Sequence, residues 1–254
     1  MIPKNVEIIT MIYKSIDFLD FIVDQFSSDI CKSENIKIGF RIICNDASYE
    51  VLEHIKTKPI KYSIYNDQNP NDYYLNRVYR AWNYGGMNSK FDNIIFVNSD
   101  MAFSEGWIDA LFQHHNGKNI PCSRLVESGR LEVGAGIPNR GWAREHNFGT
   151  HPKNFNNKAW LESAKISRLD KTGSLGLYMP CLFETKTFRE SGGYPEGNLY
   201  TTGIGKFGDP FLKSGDDYYF HDILEKKYAM KHITCFNSLA YHIQEGERRV
   251  DYDH

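Results

Sequence analysis

Short apolar runs alternate with amphipathic segments along the first hundred residues, and this alternation restricts the fold more than any other feature. Apolar runs at residues 6–13, 36–44, 60–65 and 94–97 predict four strands. The segment after the first run carries apolar residues at helical spacing, namely Phe18, Leu19, Ile22 and Phe26. Strands that alternate with helices predict an α/β fold with a mostly parallel central sheet flanked by helices.

Capping residues predict where the helices begin and end. Ser48 follows the second apolar run and predicts a helix through Ile55. A third helix is expected over residues 73–84, with Gly85-Gly86 ending it before the fourth strand. After that strand, Ser104 predicts the cap of a further amphipathic segment.

The fourth apolar run ends abruptly on the polar triplet Asn98, Ser99 and Asp100. Open α/β sheets bind their ligands outside the carboxyl ends of their strands, so this triplet is a candidate binding segment. A single Asp after a strand is also common as a turn or cap residue. The functional interpretation therefore depends on the remaining motifs.

Four motifs follow one another in a fixed order along this half of the chain. They are Tyr13 after the first strand, Asn45-Asp46-Ala47-Ser48 after the second, Arg77 with Ala81-Trp82-Asn83-Tyr84-Gly85 in the third helix, and Asn98-Ser99-Asp100 followed by Gly106-Trp107 after the fourth strand. In order and spacing they resemble the nucleotide-sugar-binding half of the family 2 glycosyltransferases, which have the Rossmann-like GT-A fold.

The second half adds motifs that resemble the acceptor side of the same family. An apolar run at residues 177–183 leads into a predicted helix at 185–191 and the turn Gly192-Gly193-Tyr194-Pro195. The resemblance implies one GT-A domain over residues 1–254. Residues 1–115 would form the nucleotide-sugar-binding half, and residues 116–254 would form an irregular acceptor-binding half.

The resemblance also implies a donor site. Tyr13 would stack on the nucleotide base, Asp46 would accept a hydrogen bond from it, and Arg77 would approach the base or the phosphates. Met11 would contribute backbone contacts, and the pair Asn98-Ser99 would face the donor. An Asp that accepts from an N–H suits uracil or thymine, so a UDP-sugar is favoured, with dTDP- and GDP-sugars left open.

A divalent cation is expected in the same site, again from the resemblance. Asp100 and His242 are its expected ligands; His242 follows an apolar run near the end of the chain. Mg²⁺ prefers oxygen ligands whereas Mn²⁺ also accepts an imidazole, so Mn²⁺ is favoured over Mg²⁺. Asn98 and Ser99 depart from the family, where acidic residues are common, and leave fewer charged ligands.

The segment Gly215-Asp216-Asp217 resembles the family motif that supplies the catalytic base. Asp217 would act as general base on an acceptor hydroxyl, and Asp216 would cap the helix that follows. An Asp in the first turn of a helix also complements the helix dipole without any catalytic role. With a single base and no evident nucleophile, the expected reaction is direct displacement with inversion onto a glycan or related acceptor.

Two other functions stay open at this stage. A nucleotidyltransferase shares a similar fold, but it usually has a Gly-rich phosphate loop after the first strand, and residues 10–16 contain no Gly. A non-catalytic nucleotide- or carbohydrate-binding protein of the same fold is the second alternative. The joint presence of Asp100, Asp217 and His242 favours an enzyme.

Composition excludes some partners. The net charge is -2 with both signs interspersed, which gives no electrostatic footprint for nucleic acid. No apolar run approaches the roughly 20 residues of a membrane-spanning helix, so a cytoplasmic protein without a transmembrane segment is expected. The five cysteines lack Cys-x-x-Cys spacing and predict buried reduced thiols rather than zinc or disulfides.

Two irregular tracts are candidates for acceptor binding. Residues 127–176 contain Trp142 and Trp160 among polar residues, and aromatic faces next to amides suit carbohydrate, although ordinary loop packing explains either Trp equally well. Residues 198–215 are rich in glycine and predict a lid that closes over substrate.

Overall fold

The structure, a computed structural model, describes residues 4–66, 74–129, 142–196 and 215–243. The elements follow in the order β1 (Asn5–Ile12), α1 (Ile16–Ser27), β2 (Lys37–Asn45), α2 (Tyr49–Ile55), β3 (Lys61–Tyr65), α3 (Tyr74–Met87), β4 (Asn93–Phe96), β5 (Met101–Phe103), α4 (Trp107–Gln113), β6 (Asn119–Glu127), β7 (Arg144–Glu145), α5 (Asn157–Ser167), β8 (Thr172–Ser174), β9 (Cys181–Glu184), α6 (Thr185–Glu190), α7 (Gly215–Tyr218), α8 (Lys226–Tyr228) and β10 (Lys231–His242). A π-helical segment, Tyr219–Glu225, joins α7 to α8, and short 3-10 turns occupy Asp29–Cys31 and Pro152–Asn154.

One sheet carries the fold, with strand order β3-β2-β1-β4-β9-β6-β10-β5. The four strands of the first half pair in parallel, as predicted. The remaining strands make the sheet mixed, because β9 runs antiparallel to β4 and to β6, and β5 and β8 run antiparallel to β10. An apolar run carries no information about strand direction, so the sequence pattern did not predict these reversals.

Despite these reversals, strands β1, β2, β4, β6 and β10 of the sheet run in the same direction. Because β9 is antiparallel to both of its neighbours, β6 runs in the direction of β4, and β10 is parallel to β6. The carboxyl ends of β1, β2, β4, β6 and β10 therefore lie along one side of the sheet, here called the carboxyl edge. Ligands of open α/β sheets bind at such an edge.

Helices cover both faces of the parallel half of the sheet. Ser15 accepts a hydrogen bond from the Phe18 backbone N–H at the start of α1. The four apolar residues predicted for one face of this helix are all buried, in a core shared with α2 and α4. Ile9 points to the opposite face of β1, into a second core built by α3, α6 and the π-helical segment. This two-sided covering confirms the predicted α/β class.

The glycine pair in α3 does not end the helix, contrary to the sequence prediction, because α3 continues to Met87. A Cβ added to Gly86 would lie 2.5 Å from the Phe188 ring, and one added to Gly85 would lie 2.8 Å from the Ile9 side chain. Both glycines therefore allow the helix to pack closely against the sheet and α6. Their role is in packing rather than in capping.

The segment after β4 also differs from the prediction. Asn98, Ser99 and Asp100 form a turn, here the β4–β5 turn, that leads into the short strand β5 rather than directly into a helix. The cap of α4 is Gly106, at φ 65°, and not Ser104. The Ser104 hydroxyl instead accepts a hydrogen bond from the Leu239 backbone N–H at 3.1 Å, because β5 pairs with β10.

The tract predicted to be irregular contains a helix, α5, within its described part. Trp160 of this helix is fully buried and donates its indole N–H to the Phe103 carbonyl at 3.2 Å, so it is a core residue and not a sugar platform. Trp142 is half-buried and donates to the Ser174 carbonyl. Residues 130–141, and all of the predicted lid except Gly215, lie outside the described residues.

Ser48 caps α2 as predicted, through a hydrogen bond from the Val51 backbone N–H. All five cysteines are buried with free thiols, as predicted: Cys31, Cys44, Cys122, Cys181 and Cys235. A search of the described helices finds none whose length and apolar character would let it cross a bilayer.

Candidate functional site

One polar cluster at the carboxyl edge joins the ends of β1 and β2 to α3. The Arg77 Nη2 atom lies 2.9 Å from the Asp46 Oδ2 atom, and its guanidinium lies 5.0 Å from the centre of the Tyr13 ring. The Ser48 backbone N–H donates to the Tyr13 carbonyl at 3.0 Å, which ties the two strand ends together. The structure therefore brings Tyr13, Asp46 and Arg77 into one place, and their binding of a nucleotide stays a prediction.

Asp46 is held at this position by its backbone. Its φ of 51° is in the left-handed region, and its N–H donates to the Tyr65 carbonyl of β3 at 2.9 Å. The side chain stays 43% exposed, so a ligand can reach the carboxylate, whereas Arg77 is only 15% exposed. Met11 joins the cluster through the Asn45 amide, which contacts the Met11 sulfur at 3.8 Å and donates to the Arg77 carbonyl at 3.4 Å.

A second cluster at the carboxyl edge contains two carboxylates and an imidazole. The His242 Nε2 atom lies 3.3 Å from the Asp100 Oδ2 atom, and the His242 Nδ1 atom lies 2.8 Å from the Glu127 Oε2 atom. Strand register explains the contact, because His242 is opposite Glu127 on β6 and opposite Met101, the residue after Asp100. Both carboxylates are buried, and His242 is partly exposed.

The two carboxylates control the charge of His242. Burial by itself lowers the pKa of the imidazole, but attraction to Asp100 and the hydrogen bonds to Asp100 and Glu127 outweigh burial and raise the pKa to about 10. Without a cation, His242 therefore carries a proton at neutral pH. A bound metal ion would take the place of the proton on Nε2.

The residues of this cluster fit a divalent cation. One carboxylate oxygen and one imidazole nitrogen face each other 3.3 Å apart, a separation suited to two neighbouring ligands of one ion. Glu127 holds the other ring nitrogen, and metal-bound histidines commonly have such a carboxylate partner that fixes ring orientation. Asp100 and His242 are therefore the candidate ligands, with Glu127 orienting His242.

The β4–β5 turn positions the other two predicted donor residues. Asn98 and Ser99 are half-buried within it. The turn is anchored on both sides, because the Val97 N–H donates to the Ile9 carbonyl of β1, and the Ile243 N–H donates to the Asp100 carbonyl, each at 3.0 Å. It thus lies between the end of β1, which carries the first cluster, and the end of β10.

The start of α7 provides the third group of polar residues. The Tyr178 hydroxyl donates to the Asp217 Oδ1 atom at 2.5 Å, and the His221 Nε2 atom lies 3.5 Å from the same oxygen. Asp217 remains 43% exposed. Burial and the hydrogen bond to Asp217 raise the pKa of Tyr178, so its hydroxyl keeps its proton and acts as a donor.

Asp216 has a different environment from its neighbour. Its carboxylate accepts a hydrogen bond from the Asp217 N–H at 2.9 Å, which is a cap-like contact. Burial raises the pKa of Asp216 above its usual value. Its backbone N–H donates to the Tyr79 hydroxyl of α3 at 3.1 Å, so α7 begins against the helix that carries Arg77. Of the two, Asp217 has the more accessible carboxylate.

Sequence reasoning missed two residues of these clusters. Glu127 is the last residue of β6. Polar residues at the carboxyl ends of strands are site candidates. Glu127 would have been one of them if the sequence had shown that β6 runs in the same direction as β4. Tyr178 lies within an apolar run and gave no signal, because its contact with Asp217 spans 39 positions of the chain.

Comparison with known proteins identifies the fold. No protein-family model matches the sequence, and a search of curated proteins finds no significant match. Among solved structures, S. aureus TarS 1-349 is similar with a TM-score of 0.51 and 11% identity, over 94% of this chain and 60% of that one. S. aureus TarS 1-349 in complex with UDP-GlcNAc gives a TM-score of 0.52 and 10% identity, over 97% of this chain and 61% of that one.

The present chain therefore spans about three-fifths of the TarS chains that it matches. At 11% identity the similarity establishes the fold alone, a mixed α/β sheet of the Rossmann-like GT-A type flanked by helices. The predicted fold class is confirmed, with the qualification that the sheet is mixed.

Proposed function

We propose that this chain is a metal-dependent, inverting glycosyltransferase of the family 2 type. It would transfer a sugar from a nucleoside diphosphate sugar, with a UDP-sugar favoured, to a hydroxyl of a glycan or related acceptor. The observation that carries the proposal is the contact between Asp100 and His242 at the carboxyl edge of a GT-A-like sheet. TarS, which has the same fold, has been solved with UDP-GlcNAc, and this favours uracil as the base.

The first polar cluster would bind the nucleotide. The Tyr13 ring offers a stacking surface for a base, and the exposed Asp46 carboxylate can accept from a base N–H. Arg77 would hold Asp46 in place and supply positive charge towards base or phosphate. Met11 would contribute through its backbone, and the half-buried pair Asn98-Ser99 would line the path to the diphosphate.

Asp100 and His242 would hold Mn²⁺ or Mg²⁺. Such a cation, when bound, stabilises the negative charge that develops on the leaving diphosphate. The chain's own contribution is to keep Asp100 buried beside His242 and to orient the His242 ring through Glu127. An imidazole ligand favours Mn²⁺ over Mg²⁺.

Asp217 would serve as the general base. Its exposed carboxylate can accept the proton of an acceptor hydroxyl while that oxygen attacks the anomeric carbon. Tyr178 holds one carboxylate oxygen through its short hydrogen bond and so fixes the orientation of the group. One base and direct displacement imply inversion at the anomeric carbon.

The test is donor turnover by the purified chain. UDP-, dTDP- and GDP-sugars would each be incubated with the protein and Mn²⁺, and the released nucleoside diphosphate would be measured. Donor hydrolysis with one nucleotide class is expected, and it should be lost in Asp100→Asn. The matched control is Asp24→Asn, which changes an exposed Asp on α1 and should behave as wild type.

The other functions give different outcomes in the same set of assays. UDP binding without hydrolysis, by a protein that also fails to transfer to any of a panel of glycans, would support a binding protein. Release of pyrophosphate from a nucleoside triphosphate and a sugar phosphate would support a nucleotidyltransferase. Either result would overturn the glycosyltransferase proposal.

A further inference from the structure

Two thiols and an imidazole, all groups that bind metal ions, meet at the buried residues of three neighbouring strands, away from the carboxyl-edge clusters. Cys122 of β6, Cys181 of β9 and His232 of β10 offer ligand atoms that all lie within 4.8 Å of one another, and all three residues are buried. The Cys181 Sγ atom is 3.8 Å from the His232 Nε2 atom. The Thr234 hydroxyl is a fourth polar neighbour, 3.7 Å from the Cys122 Sγ atom.

Strand register assembles this group, here called the thiol–imidazole cluster. Cys122 is the residue of β6 that lies opposite both Cys181 on β9 and Thr234 on β10. His232 is two positions before Thr234, so the two side chains lie on the same face of β10. The cluster thus depends on the order β9-β6-β10, which no sequence spacing reveals.

Gly176 leaves the space that the cluster occupies. A Cβ at this position would lie 2.1 Å from the Cys122 Sγ atom and 2.9 Å from the His232 Nε2 atom. Any other residue here would displace both groups. The chain therefore keeps a residue without a side chain where the sulfur and the imidazole approach each other.

We propose that Cys122, Cys181 and His232 bind a thiophilic divalent metal ion of the Zn²⁺ type. With Zn–S near 2.3 Å and Zn–N near 2.0–2.1 Å, tetrahedral ligand atoms lie about 3.6–3.8 Å apart. The sulfur-to-nitrogen distance of 3.8 Å is close to the roughly 3.6 Å that a tetrahedral S–Zn–N pair gives. The fourth position would face the Thr234 hydroxyl and be taken by it or by water.

Charge balance also favours a divalent ion. The two thiols would lose their protons to solvent on binding, and two thiolates with a neutral imidazole neutralise a charge of +2. A neutral complex is compatible with the surroundings, which include the ring of Phe220 with its centre 4.5 Å from that of His232. An uncompensated charge at this depth would be costly.

The proposed ion would be structural and separate from the cation of the donor site. Tyr178 stacks on His232 with ring centres 6.0 Å apart, and its hydroxyl donates to Asp217. An ion on His232 would therefore stiffen the segment before β9 that positions Asp217. The site itself does not depend on the proposed transferase function.

Metal content of the untagged 254-residue chain tests the proposal. Protein purified under reducing conditions in metal-free buffer should contain about one equivalent of zinc per chain by elemental mass spectrometry. Cys122→Ala, Cys181→Ala and His232→Ala should each lose most of it. Cys235→Ala is the matched control, because Cys235 is a buried cysteine on β10 outside the cluster, and it should retain the metal.

A spectroscopic measurement on the wild-type chain covers the case in which the buried variants fail to fold. After chelation and reduction, added Co²⁺ should produce thiolate-to-metal absorption and the visible bands of a tetrahedral ion, and Zn²⁺ should remove them. The proposal is overturned if the protein carries no stoichiometric metal and gives no such absorption. Recovery of a Cys122–Cys181 disulfide from protein isolated with its thiols trapped would also overturn it.

Discussion

At the scale of single residues, the chemistry depends on how neighbours orient a few side chains. His242 contacts a carboxylate through each ring nitrogen, Asp100 through Nε2 and Glu127 through Nδ1. Only the Asp100 side of the ring remains for a metal ion. In the proposed metal site Glu127 would therefore act through His242, and this role can be separated from ligation by mutation.

We expect Glu127→Gln to weaken Mn²⁺-dependent UDP binding about 10- to 100-fold, the usual effect of removing an outer carboxylate partner from a metal-bound His. His242→Ala should weaken it more, and the loss should be larger with Mn²⁺ than with Mg²⁺ because the softer ion gains more from imidazole. Calorimetric titration of UDP at one fixed, sub-saturating metal concentration measures both effects. Glu162→Gln, an exposed position on α5, is the control. Wild-type affinity in Glu127→Gln would contradict the orienting role.

Asp217→Asn should retain donor and metal affinity but lose turnover by roughly 10²- to 10⁴-fold, because a general base acts mainly in the transition state. Asn preserves the shape and can still accept from Tyr178, so the melting temperature should change little. Donor affinity, melting temperature and turnover would be measured together.

Asp216→Asn is the internal control for this prediction. Its carboxylate is engaged with the Asp217 N–H, so its loss should affect turnover less than the loss of Asp217. If Asp216→Asn is the inactive variant, the general base is Asp216 and not Asp217. If both variants stay active, the inverting mechanism at this helix is wrong.

At the scale of elements, close approach of α3 to the sheet depends on the glycine pair. Gly86→Ala would place a methyl group 2.5 Å from Phe188. Overpacking of a core lowers the free energy of unfolding by about 1–3 kcal/mol, whereas the higher helix propensity of Ala raises it by at most about 1 kcal/mol. We therefore expect a net destabilisation, measured by urea unfolding. The cost should shrink in a Phe188→Leu background, and an unchanged cost there would show that the two residues do not compete for space.

The contact between α1 and α2 gives a pH-dependent test. Burial raises the pKa of Asp20, but hydrogen bonds from Lys58 and His54 outweigh it and hold the pKa below 3.8. A lowered pKa means that the stabilisation is present above the unfolded value and is lost as pH falls through the folded pKa. Asp20 is 40% exposed, so solvent screening limits its contribution.

Asp20→Asn should lower the unfolding free energy by about 0.5 kcal/mol at neutral pH, the size expected of a solvent-screened ion pair. The difference from wild type should disappear when the pH falls well below 3.8. Unfolding midpoints across an acid series provide the measurement, with Asp24→Asn of the same helix as control. A constant difference at every pH would show that the effect of the mutation is not electrostatic.

At the scale of the whole molecule, the sheet places the cluster of Tyr13, Asp46 and Arg77 and the cluster of Asp100, Glu127 and His242 along the same edge. If both contact one ligand, Mn²⁺ and UDP must raise each other's affinity by the same factor. Asp100→Asn should reduce this coupling factor to near one, whereas Arg77→Ala should weaken UDP binding and leave most of the coupling. Thermal shift with each ligand alone and with both measures the factor. An unchanged coupling factor in Asp100→Asn would show that Asp100 is not a ligand of the metal ion.

Much of the first half of the fold was predictable because its signals are local. Apolar runs and the helical spacing on α1 located the parallel strands and one buried helix face, and Ser48 marked a cap. Ser104 was misassigned because its hydroxyl bonds Leu239, 135 positions away, instead of its own helix. Gly85-Gly86 was misassigned because packing against Phe188 and Ile9 outweighs the tendency of glycine to end a helix.

The sequence by itself determined the α/β class, the strand ends that carry Tyr13, Asp46 and Asp100, and the candidate residues Asp217 and His242. Only the tertiary structure decided that β9 reverses direction, that Glu127 contacts His242, and that Cys122, Cys181 and His232 meet. The physical reason is that periodicity and capping act over a few residues. Strand direction and register instead depend on pairing between distant segments, and that pairing alone brings these side chains into contact.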